Sequence, residues 1–412
     1  MCQNTLKCRI CNSLDLIEFL SLGQMPIANA FISKDKLPEP EYFFHLRVGF
    51  CKKCYMVQLI DLVPKEKLFN ANYAYFSSIS KTMESHFKNF TSEVSRSFLN
   101  DSNDLVVELG SNDGIMLKYY KKSGFRTLGI EPSANVADVA RAKGIDTWSV
   151  FFNEETARKI VEEKGKAKAV VGANVICHIP DLHSLVRGID ILLDDDGVFI
   201  FEDPYLPDIL SENAYDQVYD EHVYYFSITS LKNLFDKYGL EVFNSQRQST
   251  HGGSNRIFVK KKGGKYSVEK KLIDALSMEK EIGLQSLEPY REFAKNVERS
   301  KKELSETLAK LKAEGKKICA YAASSKGTVV LNYCNVGTSL LDYVSDSTPT
   351  KQGLYMPGVH VPIVSPGEFT SNPPDYALLL AWNYEKEILE KEKEYRGKGG
   401  KFIIHVPYSR IV

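Results

Sequence analysis

The chain has 412 residues, enough for two to four domains of ordinary size. It carries 53 basic and 53 acidic side chains, and this zero net charge argues against a protein that neutralises a nucleic-acid backbone or an anionic membrane. The hydrophobic fraction of 43% and the charged fraction of 26% are typical of a folded globular protein and exclude intrinsic disorder.

From the apolar pattern of the sequence we expect neither a membrane-spanning helix nor an export signal. No apolar run approaches the roughly 20 residues of a membrane helix. The N-terminal segment MCQNTLKCRIC has no apolar signal-peptide core. We therefore expect a cytoplasmic protein that binds neither nucleic acid nor a membrane.

Four of the eight cysteines form two pairs with identical spacing, Cys8-x-x-Cys11 and Cys51-x-x-Cys54. Two such pairs complete the tetrahedral thiolate set that zinc favours. Because protein fills all four positions, the zinc would be structural. A DNA-reading zinc finger is the alternative, which the neutral charge balance disfavours. We therefore predict a small zinc-binding module over residues 1–75.

A cofactor-binding α/β domain is predicted over residues 76–260. The segment DLVVELG at 104–110 is typical of a buried parallel strand, and strands and helices alternate after it. The pattern Glu-x-Gly-x-x-x-Gly lacks the third glycine of the dinucleotide fingerprint and resembles the cofactor loop of S-adenosylmethionine methyltransferases. A tight turn without ligand is the alternative. The candidate cofactor residues are Glu108, Gly110, Asn112, Gly114, Glu131, Pro132 and Asn174.

Residues 215–227 carry the strongest candidates for chemistry. They place three acids, one histidine and four tyrosines just after a strand end, where active-site loops belong. His222 can accept a proton, Glu221 can hold a hydroxyl, and Tyr219 can donate to an oxygen that becomes negative. His178, after another strand end, is expected in the same cleft. The alternative is an aromatic helix start with a solvated acidic face.

The last part of the chain is predicted to contain a helical linker over 261–316 and a second Rossmann-like domain over 317–412. Pro289 is expected to break the linker into two solvated helices. The turn at 323–328 opens a helix with hydroxyls, a cation and a glycine, which suits a bound phosphate. A domain that only packs or dimerises is the alternative. The candidate substrate residues are Ser325, Lys326, Thr328, Lys351, Arg256 and Asp346.

The order of the motifs resembles a known family. Two Cys-x-x-Cys pairs are followed by Asn-Tyr-x-Tyr-x-Ser-Ser, Glu-x-Gly-Ser-Asn-Asp-Gly, Tyr-Asp-Glu-His, His-Gly-Gly-Ser-x-Arg and Tyr-Ala-Ala-Ser-x-Lys-Gly. Over essentially its whole length the chain resembles the sugar C-methyltransferases that act on nucleotide-linked keto-deoxysugars. The resemblance implies a zinc-binding N-terminal domain, a central methyltransferase domain and a C-terminal domain of related fold that has lost the cofactor motif.

The resemblance also implies roles for individual residues. In that family the histidine of the Tyr-x-Glu-His motif acts as the base, and this position is His222. The other family positions fall on Tyr219, Glu221 and the second cleft histidine His178, and on an N-terminal tyrosine that is Tyr73 or, second, Tyr75.

The expected reaction is methyl transfer from S-adenosylmethionine to a carbon next to the ketone of a nucleoside-diphosphate keto-deoxysugar. The expected position is carbon 3 of a 4-keto sugar, reached through an enolate. The chain is expected to be a monomer or weak homodimer. The alternatives are O-methylation of a nucleotide sugar and a zinc-dependent binding protein with an inactive methyltransferase fold.

Overall fold

A computed structural model describes residues 6–68, 77 and 81–412. Its strands are β1 (Leu16–Pro26), β2 (Phe43–Cys51), β3 (Val57–Leu59), β4 (Leu105–Leu109), β5 (Arg126–Ile130), β6 (Thr147–Trp148), β7 (Ala167–Ala173), β8 (Leu193–Pro204), β9 (Tyr224–Tyr225), β10 (Leu240–Gln248), β11 (Ser254–Lys261), β12 (Ile318–Tyr321), β13 (Val344–Ser345), β14 (Ile363–Val364), β15 (Tyr376–Leu379), β16 (Lys401–Ile404) and β17 (Arg410–Ile411).

The helices occupy the segments between these strands. They are α1 (Lys65–Leu68), α2 (Lys81–Phe98), α3 (Leu117–Lys122), α4 (Ala134–Ala142), α5 (Glu154–Lys164), α6 (Leu182–Leu192), α7 (Leu206–Ser211), α8 (Ile228–Phe235), α9 (Lys270–Glu281), α10 (Glu288–Ala313), α11 (Ser325–Tyr333), α12 (Pro366–Ser371), α13 (Glu385–Lys391) and α14 (Lys393–Gly397). Within the described ranges, no helix is both long enough and apolar enough to span a bilayer.

The first sheet belongs to the N-terminal module and has the order β1-β2-β3-β9, with antiparallel neighbours. Its last strand comes from the segment that directly follows the predicted catalytic residues. Backbone hydrogen bonds therefore join the N-terminal module to the loop that carries the chemistry.

The second sheet has the order β10-β11-β8-β7-β4-β5-β6. Its five strands from β8 to β6 are parallel, and β4 is buried along its whole length, as its continuous apolar run predicts. The strand order reverses between β4 and β7. In such sheets, ligands bind beyond the carboxyl ends of the strands at this point of reversal.

The third sheet repeats the same plan with the order β14-β13-β12-β15-β16-β17. All neighbours are parallel except the last pair, and the order reverses between β12 and β15. The two Rossmann-like sheets and the small N-terminal module confirm the predicted α/β class.

The linker is more than a solvated connector. Its two helices are confirmed, since α9 ends before Pro289 and that proline occupies the first turn of α10. However, α10 buries one face, and the Tyr290 ring lies 4.5 Å from that of Phe50 and 5.1 Å from that of Phe19. The expectation of a solvated helix is wrong because apolar residues spaced three and four apart pack between the N-terminal and C-terminal modules.

Candidate active site

The four paired cysteines converge at one point. The Sγ atoms of Cys8 and Cys54 are 3.6 Å apart, those of Cys11 and Cys51 are 3.5 Å apart, and all four lie within 4.8 Å of one another. Zn–S bonds of about 2.3 Å in a tetrahedron require sulfur atoms about 3.8 Å apart. The sulfur positions therefore fit a zinc ion.

Hydrogen bonds couple the thiols of this cluster. Those from Cys51 and then Cys54 hold the pKa of the Cys8 thiol far below its ordinary value, whereas the pKa of Cys54 is raised by its bonds to Cys51 and Cys8. The cluster also packs into the methyltransferase domain, where the Asn233 amide donates to the carbonyl of Cys54 at 3.3 Å. The metal thus sits at a structural junction rather than at a reacting centre.

The turn after β4 forms one end of the candidate site. Gly110 has a φ of +63°, and a Cβ at this position would lie 2.5 Å from Cγ2 of Val175. Only glycine fits both the left-handed backbone and this close approach. Gly110 and Asn112 line the cavity, whereas Glu108 and Gly114 lie behind its wall. Burial, together with the charges of Glu131 and Asp113, raises the pKa of Glu108 well above its ordinary value.

Glu131 lies at the end of β5, where the sequence predicts an acceptor for ribose hydroxyls. Its Oε2 accepts from the backbone N–H of Asn112 at 3.0 Å, and its Oε1 accepts from that of Ser133 at 2.8 Å. Burial raises its pKa, which these backbone donors partly oppose. The carboxylate is therefore held in place facing the cavity, which Pro132 and Asn174 also line.

The catalytic candidates meet in the loop between α7 and β9. The Nδ1–H of His222 donates to the backbone carbonyl of Gln217 at 2.8 Å. Its Nε2 lone pair consequently accepts from the Tyr219 hydroxyl at 2.7 Å. Burial, with the neighbouring His178 and Lys326 charges, holds the pKa of His222 well below its ordinary value. A neutral imidazole with a defined acceptor atom is the form a general base requires.

His178 and Glu221 complete this group. The His178 ring centroid lies 5.1 Å from that of His222, and its Nδ1 is 4.0 Å from Oε2 of Glu221. Burial lowers the pKa of His178 to about 4, so it is neutral near pH 7. The other oxygen of Glu221 accepts a 2.6 Å hydrogen bond from the side-chain amide of Asn29.

A single cavity of about 690 Å³ joins these groups. It reaches from the turn after β4, past His222, to the start of α11 in the C-terminal domain. Both sheets therefore present their points of strand reversal to the same space. A volume in this range can hold more than one small ligand.

Two lysines line the C-terminal end of the cavity. Lys326 Nζ donates to the carbonyl of His251 at 3.2 Å, and Lys351 Nζ donates to that of Ala323 at 2.8 Å. Burial lowers the pKa of both side chains. Lys326 Nζ also lies 5.5 Å from the Trp382 ring centroid, and Lys351 Nζ lies 4.9 Å from that of Phe31. Within the described ranges, no carboxylate lies at ion-pair distance from either lysine, although Asp216 and Asp346 act on them electrostatically from further away. Ser325 lines the same end.

Three predicted substrate residues lie outside the cavity wall. Arg256 is enclosed by Glu202 and Glu93, Thr328 donates to the carbonyl of Ala28 at 2.8 Å, and Asp346 accepts from the backbone of Ala323 at 2.7 Å. Their side chains are engaged in holding elements together, and this placement does not support direct roles in substrate binding. Tyr73 and Tyr75 lie outside the described residues.

The cavity lining includes several residues that the sequence did not indicate, among them Asn29, Gln217 and His251. Asn29 stands in a loop of the zinc module, far from any predicted site residue in sequence, so no local pattern indicates it. His251 begins the His-Gly-Gly-Ser-x-Arg motif, in which only Arg256 is a site candidate from the sequence, and it adopts a φ of +56°. Its backbone carbonyl accepts from both Lys326 and the Gln217 side chain.

Comparisons with known proteins agree with this arrangement. Three family models match the chain: a zinc binding domain at residues 8–69, a methyltransferase domain at 83–245 and a C-methyltransferase C-terminal domain at 249–407. C-methyltransferase NovU of Streptomyces niveus is 35% identical over 407 residues, covering 98% of this chain and 96% of that protein.

Solved structures match only part of the chain. Among them are a methyltransferase in complex with the Haloferax volcanii Trm112 activator (15% identity, TM-score 0.35, 44% of this chain and 93% of that one) and the PH0226 protein of Pyrococcus horikoshii (15% identity, TM-score 0.37, 49% and 100%). Scores this low support no argument about function.

Proposed function

This chain belongs to the S-adenosylmethionine-dependent C-methyltransferases with an N-terminal zinc-binding domain, and from that premise we propose that it methylates a carbon next to the ketone of a nucleoside-diphosphate keto-deoxysugar. The observation that carries the proposal is the shared cavity. The buried His222 imidazole lies in this cavity together with the glycine turn after β4 and the Lys326 and Lys351 side chains, and this arrangement supports the proposal.

The cofactor end of the cavity fits S-adenosylmethionine. The Gly110 turn permits close approach of the backbone, and Glu131 presents a carboxylate with lone pairs left for ribose hydroxyls. When bound, S-adenosylmethionine supplies an electrophilic methyl group.

His222 performs the proton transfer. A carbon becomes nucleophilic when the proton next to a ketone is removed, and the electron pair then moves to the ketone oxygen. The Nε2 atom of His222 takes this proton, because its Nδ1 is committed to the Gln217 carbonyl. With S-adenosylmethionine bound, the enolate carbon would bond to the methyl group as the bond between that methyl group and sulfur breaks, leaving the neutral thioether S-adenosylhomocysteine, and His222 would release its proton to solvent.

Tyr219 has two uses in this scheme. In the free enzyme its hydroxyl donates to Nε2 of His222. Burial raises the pKa of Tyr219 well above its ordinary value, so it stays a donor at neutral pH. Once a ketone oxygen enters, the hydroxyl can donate to it and stabilise the developing charge, which frees the base.

The C-terminal lysines suit the nucleoside diphosphate. Charge-assisted hydrogen bonds to phosphate oxygens are stronger than the carbonyl contacts that Lys326 and Lys351 make here. An anion would also restore the charged form that burial disfavours. Carbon 3 of a 4-keto sugar remains our proposed position for the methyl group.

Turnover of a sugar with deuterium on the carbon next to the ketone tests the proposal. We expect the deuterium to be lost from the methylated product. The His222→Asn variant should lose methyl transfer and exchange while its affinity for S-adenosylmethionine stays within about twofold of wild type, since His222 contacts the other substrate. Product that keeps the deuterium and carries the methyl group on oxygen would refute C-methylation of this substrate.

A further inference from the structure

A loop of the zinc module reaches into the catalytic centre. The backbone N–H of Ala28 donates to Oδ1 of Asp220 at 3.0 Å, and its carbonyl accepts from Thr328 of α11 at 2.8 Å. The next residue, Asn29, donates its side-chain amide to Glu221 at 2.6 Å and lines the cavity. Ala28 and Asn29 thus connect the zinc module to the catalytic loop, and Ala28 also connects it to the C-terminal domain.

The Asn29 amide contributes to the orientation of the Glu221 carboxylate. Its side chain is 3% exposed, so little water can solvate the charge. Oε1 faces the Asn29 amide, which leaves Oε2 toward Nδ1 of His178, whose ring neighbours that of His222. A buried carboxylate that loses a donor becomes harder to ionise.

We propose that Asn29 is a positioning residue, whose amide holds the Glu221 carboxylate turned toward His178, so that the zinc module completes the methyl-transfer site. This inference rests on the proposed function. The negative charge favours the imidazolium formed when His222 takes the substrate proton. Asn29 acts on the base only through Glu221 and His178.

Other titratable groups surround Glu221. Among the described residues these are His178, His222, Tyr219, Asp220 and Cys177. Burial raises the pKa of Asp220 to about 7, so it can titrate in the same range. Its bond to the Ala28 backbone does not involve the Asn29 side chain. A difference between wild type and Asn29 variants therefore reports on Glu221.

The test measures exchange of the sugar proton next to the ketone with solvent deuterium, without S-adenosylmethionine, between pH 5 and 9. This readout isolates the base step. The probe is a nucleoside-diphosphate 4-keto-6-deoxysugar. We expect Asn29→Ala to slow exchange about tenfold or more, because this ratio corresponds to the free energy of a lost hydrogen bond to a charged group. In the pH–rate profile of Asn29→Ala, the acid limb should move to higher pH, because Glu221 without this donor is protonated at a higher pH. The KM for the sugar should change little.

Controls separate positioning from a structural role. Glu41→Gln removes the negative charge from another contact between the N-terminal module and the C-terminal domain, the contact of Glu41 with His360, and should leave the pH profile unchanged. In a Glu221→Gln background, Asn29→Ala should cause no further shift. Asn29→Ser retains a hydrogen-bond donor in a smaller side chain. It replaces Asn29→Ala in the exchange measurement if the alanine variant fails to fold.

The outcomes are distinct. If wild type shows neither exchange nor methylation of the sugar, the proposed function fails. If wild type exchanges and the folded Asn29 variants keep its pH profile and rate, the positioning role of Asn29 is refuted. An equal shift in Glu41→Gln would also refute it, because the effect would then come from domain docking.

Discussion

Replacing Arg256 with glutamine should destabilise the protein strongly while leaving substrate affinity unchanged. The guanidinium is 4% exposed and lies 2.5 Å from a Glu202 oxygen that is itself in a side chain only 1% exposed. It also pairs with Glu93 and lies 4.2 Å from the Phe90 ring centroid. Arg256 and Glu202 are directly opposite each other on β11 and β8, so the pair joins two neighbouring strands.

Breaking a buried ion pair from one side costs about 3–5 kcal/mol, because the other charge stays buried. For a domain of this size, that corresponds to a fall in melting temperature of roughly 6–20 °C. The pair of Lys232 and Asp236 provides a solvent-exposed control, since its side chains are 45% and 48% exposed. Lys232→Gln should cost no more than about 1 kcal/mol.

The stability lost in Arg256→Gln should depend on pH in a definite direction. Burial raises the pKa of Glu202, but His86 and Arg256 outweigh it and the net pKa is lowered. A lowered carboxyl pKa stabilises the folded state above the unfolded pKa, and this stability disappears as the pH falls through the folded value. The difference in the free energy of unfolding between wild type and Arg256→Gln should therefore be largest near pH 7 and become smaller as the pH falls.

The assay is thermal unfolding followed by circular dichroism, with KM for the nucleotide sugar measured on the folded variant. An unchanged melting temperature combined with a tenfold higher KM would refute the reasoning. Arg256 would then bind substrate, as the sequence alone suggests.

Four further predictions follow from the described geometry. Cys11→Ser should release the zinc, so that metal analysis falls from about one ion per chain toward none and the melting temperature drops, since a structural zinc contributes folding energy; retained stoichiometric zinc would contradict this. Lys326→Met and Lys351→Met should each raise KM for the nucleotide sugar about tenfold or more with unchanged affinity for S-adenosylmethionine, because each removes a charge-assisted contact to phosphate; a loss of cofactor affinity instead would place these lysines wrongly. Because the pKa values of His222 and His178 are lowered, kcat/KM should show no acid limb near pH 6.5; a limb near that pH that also appears in Asp220→Asn would contradict a neutral buried base. Leu304→Ala in α10 should lower the free energy of unfolding by about 2–5 kcal/mol, because this side chain is fully buried between modules. A loss below about 0.5 kcal/mol would instead support the solvated linker that the sequence predicts.

Patterns that are local in sequence predicted their structures well. The two Cys-x-x-Cys pairs, the glycine turn after β4 and the catalytic segment each depend on residues within a few positions of one another. Pro289 behaves as expected for the same reason, since its effect on a helix is confined to one turn.

Long-range contacts could not be predicted in this way. The position of Arg256 opposite Glu202 depends on the register between two strands, which a single sequence does not reveal. The bond from Asn29 to Glu221 joins residues 192 positions apart. The buried face of α10 shows the apolar spacing of a packed helix, but its partners are again distant in sequence.

The central claim is that His222 makes a carbon nucleophile on a nucleotide-linked keto sugar. The most direct measurement is a nuclear magnetic resonance spectrum of the product formed with S-adenosylmethionine that carries a carbon-13 methyl group. We predict one-bond coupling between the labelled methyl carbon and a ring carbon next to the ketone, with the hydrogen of that carbon lost and no product from His222→Asn. A labelled methyl group on oxygen, with the ring hydrogen retained, would contradict the account.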